Sequence, residues 1–256
     1  MKLFILCVLV ASGFAVPPST IPRSRSGQNK IVGGEDARPG QFPYQLGLYD
    51  VSGIPNEFLC GAIVYATDTM ITAANSILEE LVAGNLRLQY DDGTEQSRSV
   101  VQIIAHESYN VNTAENDIAL LKVDSSLEFN TYVSGVTLPF QGQNFSGNAF
   151  VSGWRTLSPG GSTPGNLQYA SVPIVDDETC RSFYGASAIA DSMICAGDGN
   201  ETTCKGDGGG PMTCGDYLCG ITSFGYECNK FGYPGVKTEV VKSHENSISR
   251  DFNNTS

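Results

Sequence analysis

The sequence predicts an all-β fold, a barrel or a sandwich, and three observations carry that prediction. From Phe42 onward, short runs rich in β-branched and aromatic residues alternate with Gly, Asn, Asp and Ser turns. The chain holds 29 Gly and 12 Pro, which suits many tight turns. Helical signals are sparse, and the spacing is not that of βαβ units. A length of 256 residues allows one large or two small cores.

Met1 to Ala15 reads as a signal peptide, with Lys2 as the charged start, Leu3 to Val10 as the apolar run and Gly13-Phe14-Ala15 as a small-x-small cleavage site. That run is short for a membrane span, and no later segment is long enough. The expectation is a secreted chain, in a compartment where disulfides persist. Val16 to Lys30 is Pro/Ser-rich and basic, a flexible pro-segment ending at the tryptic site Lys30-Ile31. Residues 31–256 form one expected domain. Within it, Tyr44 to Leu48, Ala62 to Tyr65, Leu86 to Tyr90 and Val100 to Ile104 are expected strands. Asp176 to Tyr184 opens with acids and fits a short helix, and Ser243 to Phe252 fits a C-terminal helix with Ser243 as N-cap.

Fifteen basic residues face 27 acidic ones. Four of the basic residues (Lys2, Arg23, Arg25, Lys30) lie in residues 1–30, which hold no acid, so the remainder carries a net charge of −16. Such a field repels nucleic acid and anionic lipid, and a protein partner is expected instead. Of 8 Cys, Cys7 leaves with the signal peptide, and the odd count leaves one thiol over or pairs it outside the chain. N-x-[ST] sequons stand at Asn144, Asn200, Asn253 and Asn254. No cofactor and no metal is expected.

The stretch Cys204-Lys-Gly-Asp-Gly-Gly-Gly-Pro211 resembles the nucleophile loop of the chymotrypsin/trypsin-like serine proteases, Cys-x-Gly-Asp-Ser-Gly-Gly-Pro. Further phrases agree in order and spacing: Ile31-Val32-Gly33-Gly34, Asn116 to Leu121, Val151-Ser152-Gly153-Trp154, Ser223-Phe224-Gly225 and Tyr233-Pro234-Gly235-Val236. The resemblance covers Ile31 to about Arg250 and implies two six-stranded antiparallel β-barrels with the cleft between them. It implies that a cut after Lys30 frees the Ile31 amine to pair with Asp207, and that the backbone N–H groups of Gly206 and Gly208 form the oxyanion hole.

Two side chains depart from the pattern. Gly208 stands where the attacking serine belongs, and Asn75, in Thr72-Ala73-Ala74-Asn75-Ser76, where the general base belongs. Glycine has no attacking atom, and an amide has no basic lone pair useful near neutrality. Asp117 is kept, and the Asn75 side-chain NH2 is expected to satisfy it. The glycine leads to the expectation of a looser loop. Neither His106 nor His244, the only two histidines, maps to the cleft. In the specificity pocket, Thr202 lies at the base, Gly225 and Gly235 in the walls, and Lys237 is either a solvated strand residue or a plug. The resemblance pairs Cys180 with Cys195 and Cys204 with Cys228. Ser76 and Ala149 stand where the partners of Cys60 and Cys214 are usual, so Cys60 is expected as a buried thiol. Cys214 and Cys219, across a hairpin, either bond or remain two thiols.

Ala105-His106-Glu107-Ser108-Tyr109 and Gly232 to Val236 resemble mite trypsin-like proteases and allergens. Together with the acidity and the exchanged residues, they make the chain most similar to the scabies mite inactivated serine protease paralogues. That resemblance implies a monomeric pseudoenzyme, released in the gut, that hinders host complement by binding its proteins. The alternatives are a regulatory cofactor of a protease cascade and an active hydrolase with displaced machinery. A heparin-binding type is disfavoured by the acidic balance.

Overall fold

The computed structural model describes residues 34–52, 57–76, 80–154, 165–198, 207–225 and 232–243. The expected signal peptide and pro-segment, Lys30, Ile31, Thr202, Gly206, the Cys204–Cys228 pair, His244 and the sequons at Asn200, Asn253 and Asn254 lie outside those residues.

A two-residue strand, β1 (Glu35–Asp36), precedes six strands that close into a barrel. These are β2 (Gln45–Asp50), β3 (Glu57–Val64), β4 (Thr69–Thr72), β5 (Glu80–Ala83), β6 (Gln96–Ala105) and β7 (Ala119–Val123), in spatial order β2-β3-β4-β7-β6-β5. The pairs are antiparallel, with β2 closing the barrel on β5 through Leu46↔Ala83 and Leu48↔Leu81. Alternation explains the inside: Leu46, Leu48, Ala62, Val64, Met70, Leu81 and Leu121 are fully buried in one cluster. Each large aliphatic there contributes about 1.5–3 kcal/mol relative to exposure.

The second barrel uses β8 (Asn148–Gly153), β9 (Gln168–Val175), β10 (Met193–Ala196), β11 (Pro211–Cys214), β12 (Tyr217–Phe224) and β13 (Gly235–Glu239). Their order is β9-β10-β13-β12-β11-β8, the β8–β9 pairing closes the ring, and β1 adds to β9 as an outer edge. Two six-stranded antiparallel barrels are thus present, as expected. They are not independent bodies: Ile63, Ile71, Ile118 and Leu120 of the first pack with Leu218, Ile221 and Val240 of the second. Trp154, fully buried, donates its indole N–H to the Leu86 carbonyl at 3.1 Å and meets Phe58 edge-on.

Helix α1 (Asp177–Tyr184) has Asp176 as its N-cap, whose carboxylate accepts the Thr179 N–H at 2.8 Å. Helix α2 (Val240–Ser243) starts three residues before the expected C-terminal helix, whose remainder, 244–252, lies outside the described residues. Ser243 is not a cap, since it lies within the helix and donates to the Glu239 carbonyl four residues back at 3.1 Å. Leu86 to Tyr90 is likewise not a strand, only a single bridge, Arg87↔Asn166. Arg87 turns its Nε (2.7 Å) and backbone N–H (3.1 Å) onto Asp92, and its guanidinium lies 4.8 Å over the Tyr90 ring. Those local bonds replace a ladder.

Cys180 and Cys195 are bonded, tying α1 to β10, with Cα atoms 6.3 Å apart. Cys214 and Cys219 are also bonded, across the β11–β12 hairpin, which decides the alternative left open in the sequence. Cys60 is buried, its Sγ donating to the Ser76 carbonyl at 3.7 Å.

Candidate functional site

Four segments meet where the barrels touch: the turn 73–76 after β4, residues 116–118 before β7, the loop 207–210 before β11 and the end of β12. Cross-barrel bonds fix them. The Gly61 N–H donates to the Gly208 carbonyl (2.9 Å), the Ser152 hydroxyl to Gln45 Oε1 (2.8 Å), and the Thr238 hydroxyl to the Asp117 carbonyl (2.8 Å).

Asp117 is fully buried. Its Oδ2 accepts the Ser223 hydroxyl at 2.6 Å and its Oδ1 accepts the backbone N–H of Asn75 at 3.0 Å. Burial pushes this carboxyl above the ordinary range, while Ser223 and then the backbone N–H groups of Asn75 and Ala74 pull it back. The Asn75 side-chain Oδ1 accepts the Ser76 hydroxyl at 2.7 Å. Tyr109 feels the same charge: burial and then Asp117 raise its phenol to about 12.

The loop at 208 is pinned rather than loose. The Gly209 N–H donates to Thr222 O (2.8 Å), the Gly210 N–H to Asp207 O (2.9 Å) and the Thr222 N–H to Gly210 O (2.9 Å). Gly209 has φ +77°, and a Cβ there would run into the Thr72 hydroxyl and the Gly61 carbonyl, so only glycine fits. Gly208 differs: its φ lies outside the left-handed region, and among the described residues a Cβ would meet Ser76 Oγ alone, at 3.2 Å. Asp207 is buried, its carboxylate lying against the position a Cβ on Gly153 would occupy.

On the pocket side, Gly235 opens β13 and Gly225 follows β12. The Tyr184 hydroxyl donates to the Pro234 carbonyl at 2.6 Å and fixes that wall, and Phe224 meets Tyr184 edge-on. Lys237 is 1% exposed, its stem beside Gly220, so the solvated alternative is dropped. His106 is buried, its backbone N–H donating to the Ile118 carbonyl at 3.0 Å and its Nδ1 accepting the Ser108 N–H at 3.1 Å. Among the described residues, no cluster of three or more His, Cys, Asp or Glu is placed to hold a metal ion.

Sequence reasoning did not assign Ser223, Gln45 or Thr238 these bonds. The available signal was the buried aspartate itself, which requires donors from more than its own barrel.

Two such barrels, joined through these segments, define a protein class. The trypsin family model matches residues 31–245, and the chain belongs to that family. It is 44% identical to Trypsin-1 of Astacus astacus over 225 residues, covering 82% of this chain and 95% of that protein. It is 37% identical to Trypsin alpha of Drosophila erecta over 250 residues, 94% of each chain. It is 36% identical to Trypsin Blo t 3 of Blomia tropicalis over 258 residues, 94% of this chain and 95% of that one.

These relatives correct one expectation. The residues at 75 and 208 led to the reading of a chain that is not an enzyme. Relatives up to 44% identical are named trypsins, which points to a protease, and that reading is withdrawn. Where the barrels meet stand a buried carboxylate, the bonded hydroxyls of Ser76 and Ser223, the Asn75 amide and a fixed glycine backbone. Among the described residues, no helix is long and apolar enough to cross a membrane.

Proposed function

We propose that this trypsin-family chain is secreted and acts on other proteins by binding them along the cleft between its barrels, with complement proteins of a host as the partners. The observation that carries the reading is the construction of the cleft. Its walls are joined by short, buried cross-barrel hydrogen bonds, which hold the segments around Asn75, Asp117 and Gly208 in fixed relation. A surface held rigidly before binding loses less entropy on association. The excess of 27 acidic over 15 basic residues disfavours nucleic acid and anionic membranes as partners. Complement enters through the sequence resemblance of residues 105–109 and 232–236.

The test uses the secreted full chain, cleaved after Lys30 and immobilised, to retain proteins from serum. Retained species are identified by mass spectrometry, their integrity is followed in the same samples, and complement lysis is measured with the soluble chain. Retained complement proteins and reduced lysis are expected. A cleft variant, Asn75→Arg, should weaken retention about tenfold, or ~1.4 kcal/mol. Serum that yields no complement protein, with lysis unaltered, overturns the proposal.

A further inference from the structure

The sequon Asn144-Phe145-Ser146 lies in the loop that enters β8, and the function above does not use it. The loop is held at both ends. On one side the Gln143 N–H donates to the Phe140 carbonyl (3.1 Å) and the Phe140 N–H to Gln143 Oε1 (3.2 Å), closing a turn. On the other, the Ile174 N–H donates to the Gly147 carbonyl at 2.8 Å. Between them, Phe145 turns inward, half-buried against the cluster of Ala149, Cys214 and Cys219, while Asn144 and Ser146 are exposed. A Cβ placed on Gly142 or Gly147 would meet nothing within 4 Å, so the space outside this loop is open.

We propose that Asn144 carries an N-linked glycan. An oligosaccharyl transferase of the secretory pathway moves the sugar from a lipid-linked pyrophosphate donor. A bond forms between Asn144 Nδ2 and the anomeric carbon as the bond from that carbon to the pyrophosphate oxygen breaks. The lipid pyrophosphate leaves, and the amide loses one proton to the transferase. Transfer occurs before folding is complete, so the folded chain has only to leave room, and the open loop does so.

Position gives the glycan two consequences. Phe140 is 63% exposed, its ring 6.2 Å from that of Tyr217, and the closed turn keeps it beside the sequon. The first sugar covers this aromatic pair, an exposed apolar surface otherwise open to association. At the other end of β8, Gly153 lies against Asp207, next to Gly208. The six residues of β8, at about 3.3 Å per residue, span roughly 17 Å, and the sequon lies off the end of that strand opposite Gly153. The cleft therefore stays open with the glycan in place.

This inference rests on the secretion reading, because only a chain entering the secretory pathway meets the transferase. The full chain is expressed in insect cells and collected from the medium. Peptide-N-glycosidase in heavy-oxygen water converts any glycosylated asparagine to labelled aspartate. The label is expected at 144, and the expected loss of mass on deglycosylation at this site is absent in Asn144→Gln and Ser146→Ala. Both variants should still reach the medium, and apolar-dye binding should rise severalfold as Phe140 is uncovered. A secreted chain whose Asn144 peptide is unlabelled overturns the glycan and leaves secretion standing. A chain retained in the cells overturns secretion, and the glycan with it.

Discussion

Replacing Ser223 by alanine removes the hydroxyl that donates to Asp117 Oδ2 at 2.6 Å in a fully buried setting. A hydrogen bond to a buried charge is worth about 1.5–3 kcal/mol, so the variant should lose that much stability near neutral pH. The cost must also depend on pH. The folded-state carboxyl of Asp117 is raised above its unfolded value of about 3.9, so the folded chain holds a proton that the unfolded chain has released. The stability contributed by that proton is complete below about pH 4 and is lost as pH rises through the folded value. Ser223 is the strongest downward pull on this carboxyl, so removing it raises the folded value further and extends the loss to higher pH. The difference between parent and Ser223→Ala should be small at pH 3 and reach its full size by pH 7. Urea unfolding followed by the fluorescence of Trp154, the single tryptophan, measures both. In an Asp117→Asn background the serine substitution should cost less than about 1 kcal/mol, with no pH trend. An equal cost at pH 3 and 7, or an undiminished cost in that background, refutes the reasoning.

Three further outcomes follow from the same contacts. Gly209→Ala should destabilise by about 2–5 kcal/mol, from left-handed strain and collision with Thr72 and Gly61, whereas Gly208→Ala should stay within about 1 kcal/mol of the parent, as read by denaturant midpoints. Opening Cys180–Cys195, with 15 residues of separation, by paired alanines should cost about 3 kcal/mol, and opening Cys214–Cys219, with a separation of 5, about 2 kcal/mol, measured against the parent by the same unfolding curves. Asp176→Ala should fray α1: the capping N–H and hydroxyl of Thr179 hold the Asp176 carboxyl below its usual range, so its stabilisation is present above about pH 4 and fades as pH falls through the lowered value, and amide exchange across α1 at pH 7 and pH 3 reads the difference.

Strand runs and turns in the sequence predicted an all-β fold, and the resemblance of the ordered phrases to a known family implied the two barrels. It placed Asp117, Asn75 and Gly208 in one region, and they meet there. It failed where a side chain's partner is distant in the chain. Asp117 and Ser223 are 106 residues apart, and no local pattern announces their bond. Lys237 reads as polar and is 1% exposed, because strand alternation places its stem inside the second barrel beside Gly220. Leu86 to Tyr90 has the composition of a strand, yet Arg87 prefers Asp92 five residues on, and a short-range ion pair decides the backbone there. Ser243 has the residue type of a cap, but the helix begins earlier, at Val240.

The path of the main chain at Gly208 is one that any L-amino acid can follow, in contrast to its neighbour at 209. Nothing in the fold demands a bare methylene at that point. A side chain set there would press on the Ser76 hydroxyl, 3.2 Å from its first carbon, so an exchange at 208 would be felt at the turn that carries Asn75.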